Sequence, residues 1–164
     1  MKTIIRGLIL LLIVLWLGGV MFFPIVAANA FGTIPDTHLA GTIVAKCLRT
    51  LHVEGLVCGP LIVILLLLAQ ALRAVPRSVA APVVMALIMT GLTAYSQYAI
   101  IPRMEQDRIA AGGAIDAVPA NNPYRMDFNR LHNRSVEVEE GVLLAGLVLI
   151  FLIAANYPRM EKIR

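Results

Sequence analysis

Two groups of ionisable side chains stand where long apolar runs begin: Lys46, Arg49, His52 and Glu54 before one, and His132, Arg134, Glu137, Glu139 and Glu140 before another. Charge at membrane depth is costly, so such groups usually line a protein interior, a cavity or the interface. Lys46, Arg49 and His52 step three residues at a time, which on a helix makes an oblique ridge. Glu54 falls elsewhere on the circumference, within reach of a neighbouring helix rather than of His52. Such a ridge could seat an anion, a lipid phosphate, or the carboxylates of a tetrapyrrole whose metal His52 ligates. The plainer use is structural. Lys46 and Arg49 near the noncytoplasmic surface would snorkel to headgroups or pair with acids of another helix.

In the second group His132 and Glu139 are seven apart, hence on one helical face, and Arg134 can pair with Glu137 three residues on. The last apolar helix starts on the same side of the membrane as the second, and the two groups carry opposite charge. The expectation is therefore a facing network from Lys46 and Arg49 to Glu139 and Glu140, acting as a lock at the noncytoplasmic end. Zinc and copper sites need three or four ligands in tight geometry. The sequence supplies no CxxC, HxxxH or HExxH spacing, and its seven Met residues follow no repeat, so no metal site is expected. Thr90, Thr93, Ser96 and Gln97 lie along the third apolar run, and side chains of this kind commonly bond across membrane helices.

The elements that must position these groups are membrane spans. Of the 164 residues 59% are hydrophobic, against roughly 45–50% in soluble domains. A hydrocarbon core of ~30 Å needs ~20 helical residues, and apolar runs at 3–31, 53–72, 79–101 and 141–155 give four such elements. The predicted spans are about 4–31, 38–72, 79–101 and 137–156, with an extramembrane segment over 102–136. The fold class is an all-α, integral membrane four-helix bundle in a single domain. The last run is short, so its helix must include part of the 137–140 segment, which puts those carboxylates near the interface.

Local signals refine the picture. Asp36 or Thr37 is a candidate N-cap for the second helix, Gly59-Pro60 bends its middle, and Pro24 kinks the first. The third helix begins near Pro82 and runs to a break at Ile101-Pro102. A polar helical extension follows from Arg103, loosening through Gly112-Gly113, Pro119 and Asn121-Asn122-Pro123 into the most mobile part of the chain. Helical spacing resumes from about Tyr124. Cys47 and Cys58, on one helix and about 16 Å apart along its axis, cannot form a disulfide with each other.

The net charge of +4 comes from basic residues at helix ends, where topology wants them, so nucleic acid is not an expected partner. Lys2 and Arg6, then Arg73 and Arg77, then Arg159, Lys162 and Arg164 mark one side, whereas the first loop, 32–37, has no Lys or Arg. By the positive-inside rule both termini are expected in the cytoplasm. Arg103, Arg108, Arg125, Arg130 and Arg134 run against that rule and are offset by Glu105, Asp107, Asp116 and Asp127. Ala28-Asn29-Ala30 mimics a signal cleavage site, but the apolar stretch before it exceeds the ~7–15 residues of a signal peptide. It is read as a retained span.

Trp16-x-Gly18-Gly19, Pro102-Arg103 with Arg108, and above all Phe128-x-x-Leu131-His132-x-x-Ser135 resemble the transmembrane protein 205 family of small four-helix membrane proteins. The resemblance adds Arg103 and His132 to the residues of interest. It marks Glu139 as a departure, since the family often carries Asn there. It implies no established biochemical activity for bacterial members; a eukaryotic relative is linked to platinum-drug resistance, implying at most a trafficking or metal-handling role. The architecture is more distantly similar to copper-resistance D-type proteins and HemJ-type protoporphyrinogen oxidases, where membrane histidines serve haem or copper. That fold-level analogy makes His52 and His132 candidate cofactor residues.

The resulting expectation is a non-enzymatic protein of a bacterial inner membrane, an accessory or scaffold subunit of a larger complex or a lipid-binding element. Its expected partners are lipids and other membrane subunits. A haem- or tetrapyrrole-binding redox protein and a metal or small-solute transport component are the alternatives, and no cofactor is the leading expectation.

Overall fold

The computed structural model describes residues 2–75 and 78–155. Arg77 and the basic tail of Arg159, Lys162 and Arg164, used above for topology, lie outside the described residues, as does residue 156 at the end of the last predicted span. Among the described residues the elements are α1 (Lys2–Thr33), α2 (Thr37–Ala71), α3 (Ala80–Tyr95), a π-helical turn (Ser96–Ile100), α4 (Ile101–Ala110), a 3-10 turn (Ile115–Ala117) and α5 (Pro123–Ala155). Four helical stretches are long and apolar enough to cross a membrane, with α3 and α4 forming one path from Ala80 to Ala110. The protein is an all-α, four-helix membrane bundle.

Helix boundaries follow from local chemistry. Asp36 caps α2, its Oδ1 accepting from the amides of His38 at 2.9 Å and Leu39 at 3.1 Å. Asn122 does the same for α5, accepting from Tyr124 and Arg125 ahead of which Pro123 occupies the first turn. At these positions a side-chain acceptor satisfies amides that no earlier carbonyl can reach, and proline loses nothing by lacking its own N–H. Gly112 and Gly113 end α4 with φ of +87° and +95°. Their amides turn back to the carbonyls of Ile109 and Arg108, a conformation that disfavours a side chain.

The predicted break at Ile101-Pro102 is not a break. The helical path shifts register instead: the Ile101 amide donates to the Ser96 carbonyl, five residues back. Pro102 then sits in the opening turn of α4. A proline deep in an α-helix would lack an N–H and clash with the preceding turn; the wider turn before it absorbs both defects. The expected polar helical extension from Arg103 is α4, and helix resumes at Pro123, one residue before the expected Tyr124, so the connection between them is residues 111–122. That connection is tied down. Arg125 donates to the carbonyls of Asp116 at 3.2 Å and Val118 at 2.6 Å.

α1 packs on α2, α2 on α3, α3 on α5 and α5 back on α1, which closes a ring, while α4 lies along the first half of α5. Lys2 donates to the carbonyl of Arg73 at 3.2 Å, and the Arg6 guanidinium to that of Ala74, so the start of α1 and the α2–α3 connection share one end. The α1–α2 turn, α4 and the start of α5 form the other. Ile5, Ile9, Ile13, Trp16 and Val20 repeat at helical spacing along the buried side of α1 and meet Ile62, Leu66, Met89, Val142 and Leu149 from its neighbours. Trp16, 1% exposed, lies on α2 where glycine allows it: a methyl group at Gly55 would stand 2.7 Å from indole Cε2, and one at Gly59 3.2 Å from Cζ3. Small residues are what let membrane helices approach this closely. Leu10, Val14, Ile64, Leu87, Leu144 and Phe151 point outward, an apolar exterior suited to lipid.

Candidate functional site

Buried polar chemistry in this bundle centres on His52. Its side chain is 1% exposed and reaches two helices at once. Nε2 lies 2.6 Å from Oε1 of Glu139 on α5, and Nδ1 lies 3.1 Å from Oε1 of Gln97 in the π-helical turn. The Glu139 side chain is 17% exposed, so the carboxylate is not fully enclosed by the bundle. All three groups sit at the border of the apolar part of the bundle. The apolar run of α2 starts at Val53 and that of α5 at Gly141, one or two residues beyond them.

The two contacts to the ring define its chemistry. Both facing atoms are acceptors, and an imidazole donates from both nitrogens only as the imidazolium. A half-turn of the Gln97 amide, presenting its NH2 to Nδ1, suits the neutral ring with its proton on Nε2. In either state both nitrogens are engaged. A metal ligand needs a nitrogen lone pair, so iron at His52 would first have to displace Glu139 or Gln97. Among the described residues no group of three His, Cys, Asp or Glu side chains is placed to hold a metal ion.

Two more buried hydroxyls precede Gln97 on the same helical path. Thr93 and Ser96 are 1% and 0% exposed, and neither hydroxyl has a hydrogen-bond partner. Thr90, by contrast, bonds the Ala86 carbonyl at 2.7 Å, the usual solution for a helical threonine. Thr93 near the end of α3, with Ser96 and Gln97 in the π-helical turn, forms a short polar stretch of which Gln97 is the member that bonds α2. Inserted turns of this kind recur at functional sites.

The predicted network from Lys46 and Arg49 to Glu139 and Glu140 is not formed. Arg49 faces Glu105 at 3.7 Å instead, and Glu105 is gripped from its other side by Arg108, at 2.7 and 3.2 Å. Arg108 also donates to the Thr42 hydroxyl at 3.1 Å. The reason is α4. Because helix continues past Pro102, its acidic residue reaches the outer part of α2 first, and Glu139 lies deeper, at the level of His52. Lys46 and Glu140 are exposed, and neither makes an ion pair among the described residues.

The remaining candidates are scattered. Arg134 pairs with Glu137 at 2.8 Å, both exposed, and also bonds the Tyr95 side chain at the end of α3. Arg103 is exposed on α4. His132 is exposed too, seven residues and so ~10 Å along α5 from Glu139, and it does not join His52. Glu54 turns to α1, where a methyl group at Gly19 would come within 3.7 Å of its Oε2. There it lines an open groove of about 270 Å³ with Phe22, Phe23, Val26, Cys47, Thr50 and Leu51. Both cysteines are free, Cys47 exposed and Cys58 buried.

Sequence reasoning named His52 without a partner residue, gave Glu139 a partner it does not have, and counted Glu105 only as an offset to nearby arginines. The three-residue spacing of Glu105 and Arg108 was the available signal for that acid. For Gln97, its four-residue spacing from Thr93 marked the face, but nothing pointed to His52.

A family model described as a domain of unknown function, DUF4149, matches residues 11–109. The matched stretch holds His52, Gln97 and the Arg49–Glu105–Arg108 contacts, and it ends before α5 and Glu139. No curated protein and no solved structure matches the chain.

Proposed function

Because this chain belongs to the DUF4149 family, a domain of unknown function, its role has to come from its own geometry, and we propose that it is a non-enzymatic accessory or scaffold subunit of a larger membrane assembly. One observation carries this reading: the buried imidazole of His52 and the acid that faces it are spent on each other. His52 is held through both nitrogens by Gln97 and Glu139, which locks α2, α5 and the π-helical turn together. A catalytic imidazole needs a nitrogen open to its substrate. What remains for recognition is the outward apolar surface of α1, α3 and α5 together with the polar end formed by α4 and the start of α5.

A bacterial inner membrane with both termini in the cytoplasm is part of the proposal, resting on the basic residues at the Lys2 and Arg73 end.

The test is extraction in a mild detergent from cells expressing the chain at its native level, followed by size analysis and mass spectrometry. The expected result is a particle larger than one chain with its detergent, containing another membrane protein at fixed stoichiometry. A particle holding this chain alone would overturn the accessory role. A Soret band in the same preparation that vanishes in His52→Ala would overturn it in favour of a haem protein.

A further inference from the structure

Glu54 is a carboxylate with no partner in a place where charge is costly. It stands in the apolar part of α2, half-buried, and makes no hydrogen bond or ion pair among the described residues. The other acid at this depth, Glu139, is matched by His52. Acids within membrane segments are rare, and they pair or mark a ligand path. Glu54 does neither within the chain.

Its surroundings say what would complete it. The groove it lines is open to the side of the bundle, with a volume of about 270 Å³. One wall is α1, with Phe22, Phe23 and Val26; the other is α2, with Cys47, Thr50 and Leu51. Aromatic faces beside a carboxylate favour a cation over an anion, because the ring quadrupole and the charge act in the same sense. Gly19 keeps the floor low: a methyl group there would stand 2.6 Å from Leu51 Cδ1. Lys46, Thr50 and Glu54 form an oblique row rising ~12 Å along α2 toward the membrane surface. The ammonium of Lys46 is exposed and free of ion pairs among the described residues. The groove thus offers a negative group at its deep end and apolar walls from there outward, with Lys46 one turn beyond Thr50 on the row that leads out of it.

We propose that this α1–α2 groove binds an aminophospholipid, its primary ammonium on Glu54, its phosphate toward Lys46 and an acyl chain along Phe22, Phe23 and Val26. Charge complementarity selects this occupant. An anionic lipid such as phosphatidylglycerol would satisfy Lys46 and leave Glu54 facing apolar chain, whereas a zwitterion with a terminal ammonium meets both. The inference is independent of the accessory-subunit role, because it concerns the purified chain alone.

The experiment is native mass spectrometry of the full chain in detergent, titrated with phosphatidylethanolamine or phosphatidylglycerol of matched acyl chains. Phosphatidylethanolamine is expected to bind at one saturable site, with occupancy exceeding that of phosphatidylglycerol. Glu54→Gln, with unchanged helix content by circular dichroism, is expected to weaken it about tenfold, the scale of a lost charge-assisted hydrogen bond. Phe22→Ala, which alters one wall and no charge, is expected to weaken both lipids together. Equal binding of phosphatidylethanolamine to the wild type and Glu54→Gln would overturn the proposal, as would a preference for phosphatidylglycerol. Displacement of the lipid by millimolar ethanolamine would overturn it too, by assigning the groove to a soluble amine.

Discussion

Replacing Glu139 by Ala tests the interior lock directly. The substitution removes a 2.6 Å contact to a histidine that is 1% exposed, so Nε2 loses its partner where water has little access. Orphaning a buried polar group costs about 1–3 kcal/mol. Hydrogen bonds between membrane helices come in lower, averaging about 0.6 with a maximum near 1.7 kcal/mol, because the unfolded chain in a membrane also finds partners. Glu139 keeps 17% of its side chain exposed, so the contact is only partly enclosed and the lower part of the range applies. The expected destabilisation is therefore about 1–2 kcal/mol for Glu139→Ala and for His52→Ala taken singly. Both remove the same contact, so the double variant should fall short of the sum by about 1 kcal/mol. Glu139→Gln keeps an acceptor for Nε2 and should lose less than Glu139→Ala. Reversible unfolding of the four proteins in mixed detergent, followed by helix content, gives the cycle. A coupling below about 0.3 kcal/mol, the scatter of independent sites, would refute the lock and leave His52 and Glu139 as neighbours without energetic consequence.

Three other outcomes follow from the same geometry. Gly55→Ala forces a methyl group within 2.7 Å of a Trp16 ring that is 1% exposed and has no room to retreat; a loss of about 1–3 kcal/mol is expected from overpacking, with a red shift of tryptophan emission as the check. Asp36→Ala strips two amides of α2 of their acceptor and should cost about 0.5–2 kcal/mol in the same unfolding assay. A membrane-impermeant maleimide added to intact spheroplasts should modify exposed Cys47 and leave Cys58, 4% exposed, untouched; labelling of Cys47 only in inverted vesicles would reverse the proposed topology.

Much of the architecture was legible in the residues because the membrane enforces it. Backbone groups in lipid have to be satisfied within the helix, so apolar runs of spanning length leave little choice of structure, and the four helices match those runs. The N-cap at Asp36 was legible for a similar reason: a short acceptor side chain at a helix start acts on amides two and three residues away. Pro102 was read wrongly because its effect depends on what the preceding turn does. An α-helical turn before a proline meets a clash, while the five-residue bond from Ile101 to Ser96 relieves it.

The pairing of charges is where tertiary structure ruled. Composition and spacing determined that His52, Arg49 and Glu139 stand at the membrane border and that opposite charges meet there, since isolated charge at that depth costs too much. Which acid meets which base depends on depth along neighbouring helices, and on the few ångströms by which one helix slides past another. α4, continuing through the register shift, carries Glu105 to Arg49 and leaves Glu139 to His52. Glu54, on the opposite side of α2, stays without a partner inside the chain. The sequence alone decided that this is a four-helix membrane bundle with costly charges at one border, because solvent imposes those terms residue by residue. The packing of α2 on α3, of α3 on α5 and of α4 along α5 decided which of those charges cancel, because hydrogen bonds act over about 3 Å and sequence spacing does not resolve distances between helices so finely.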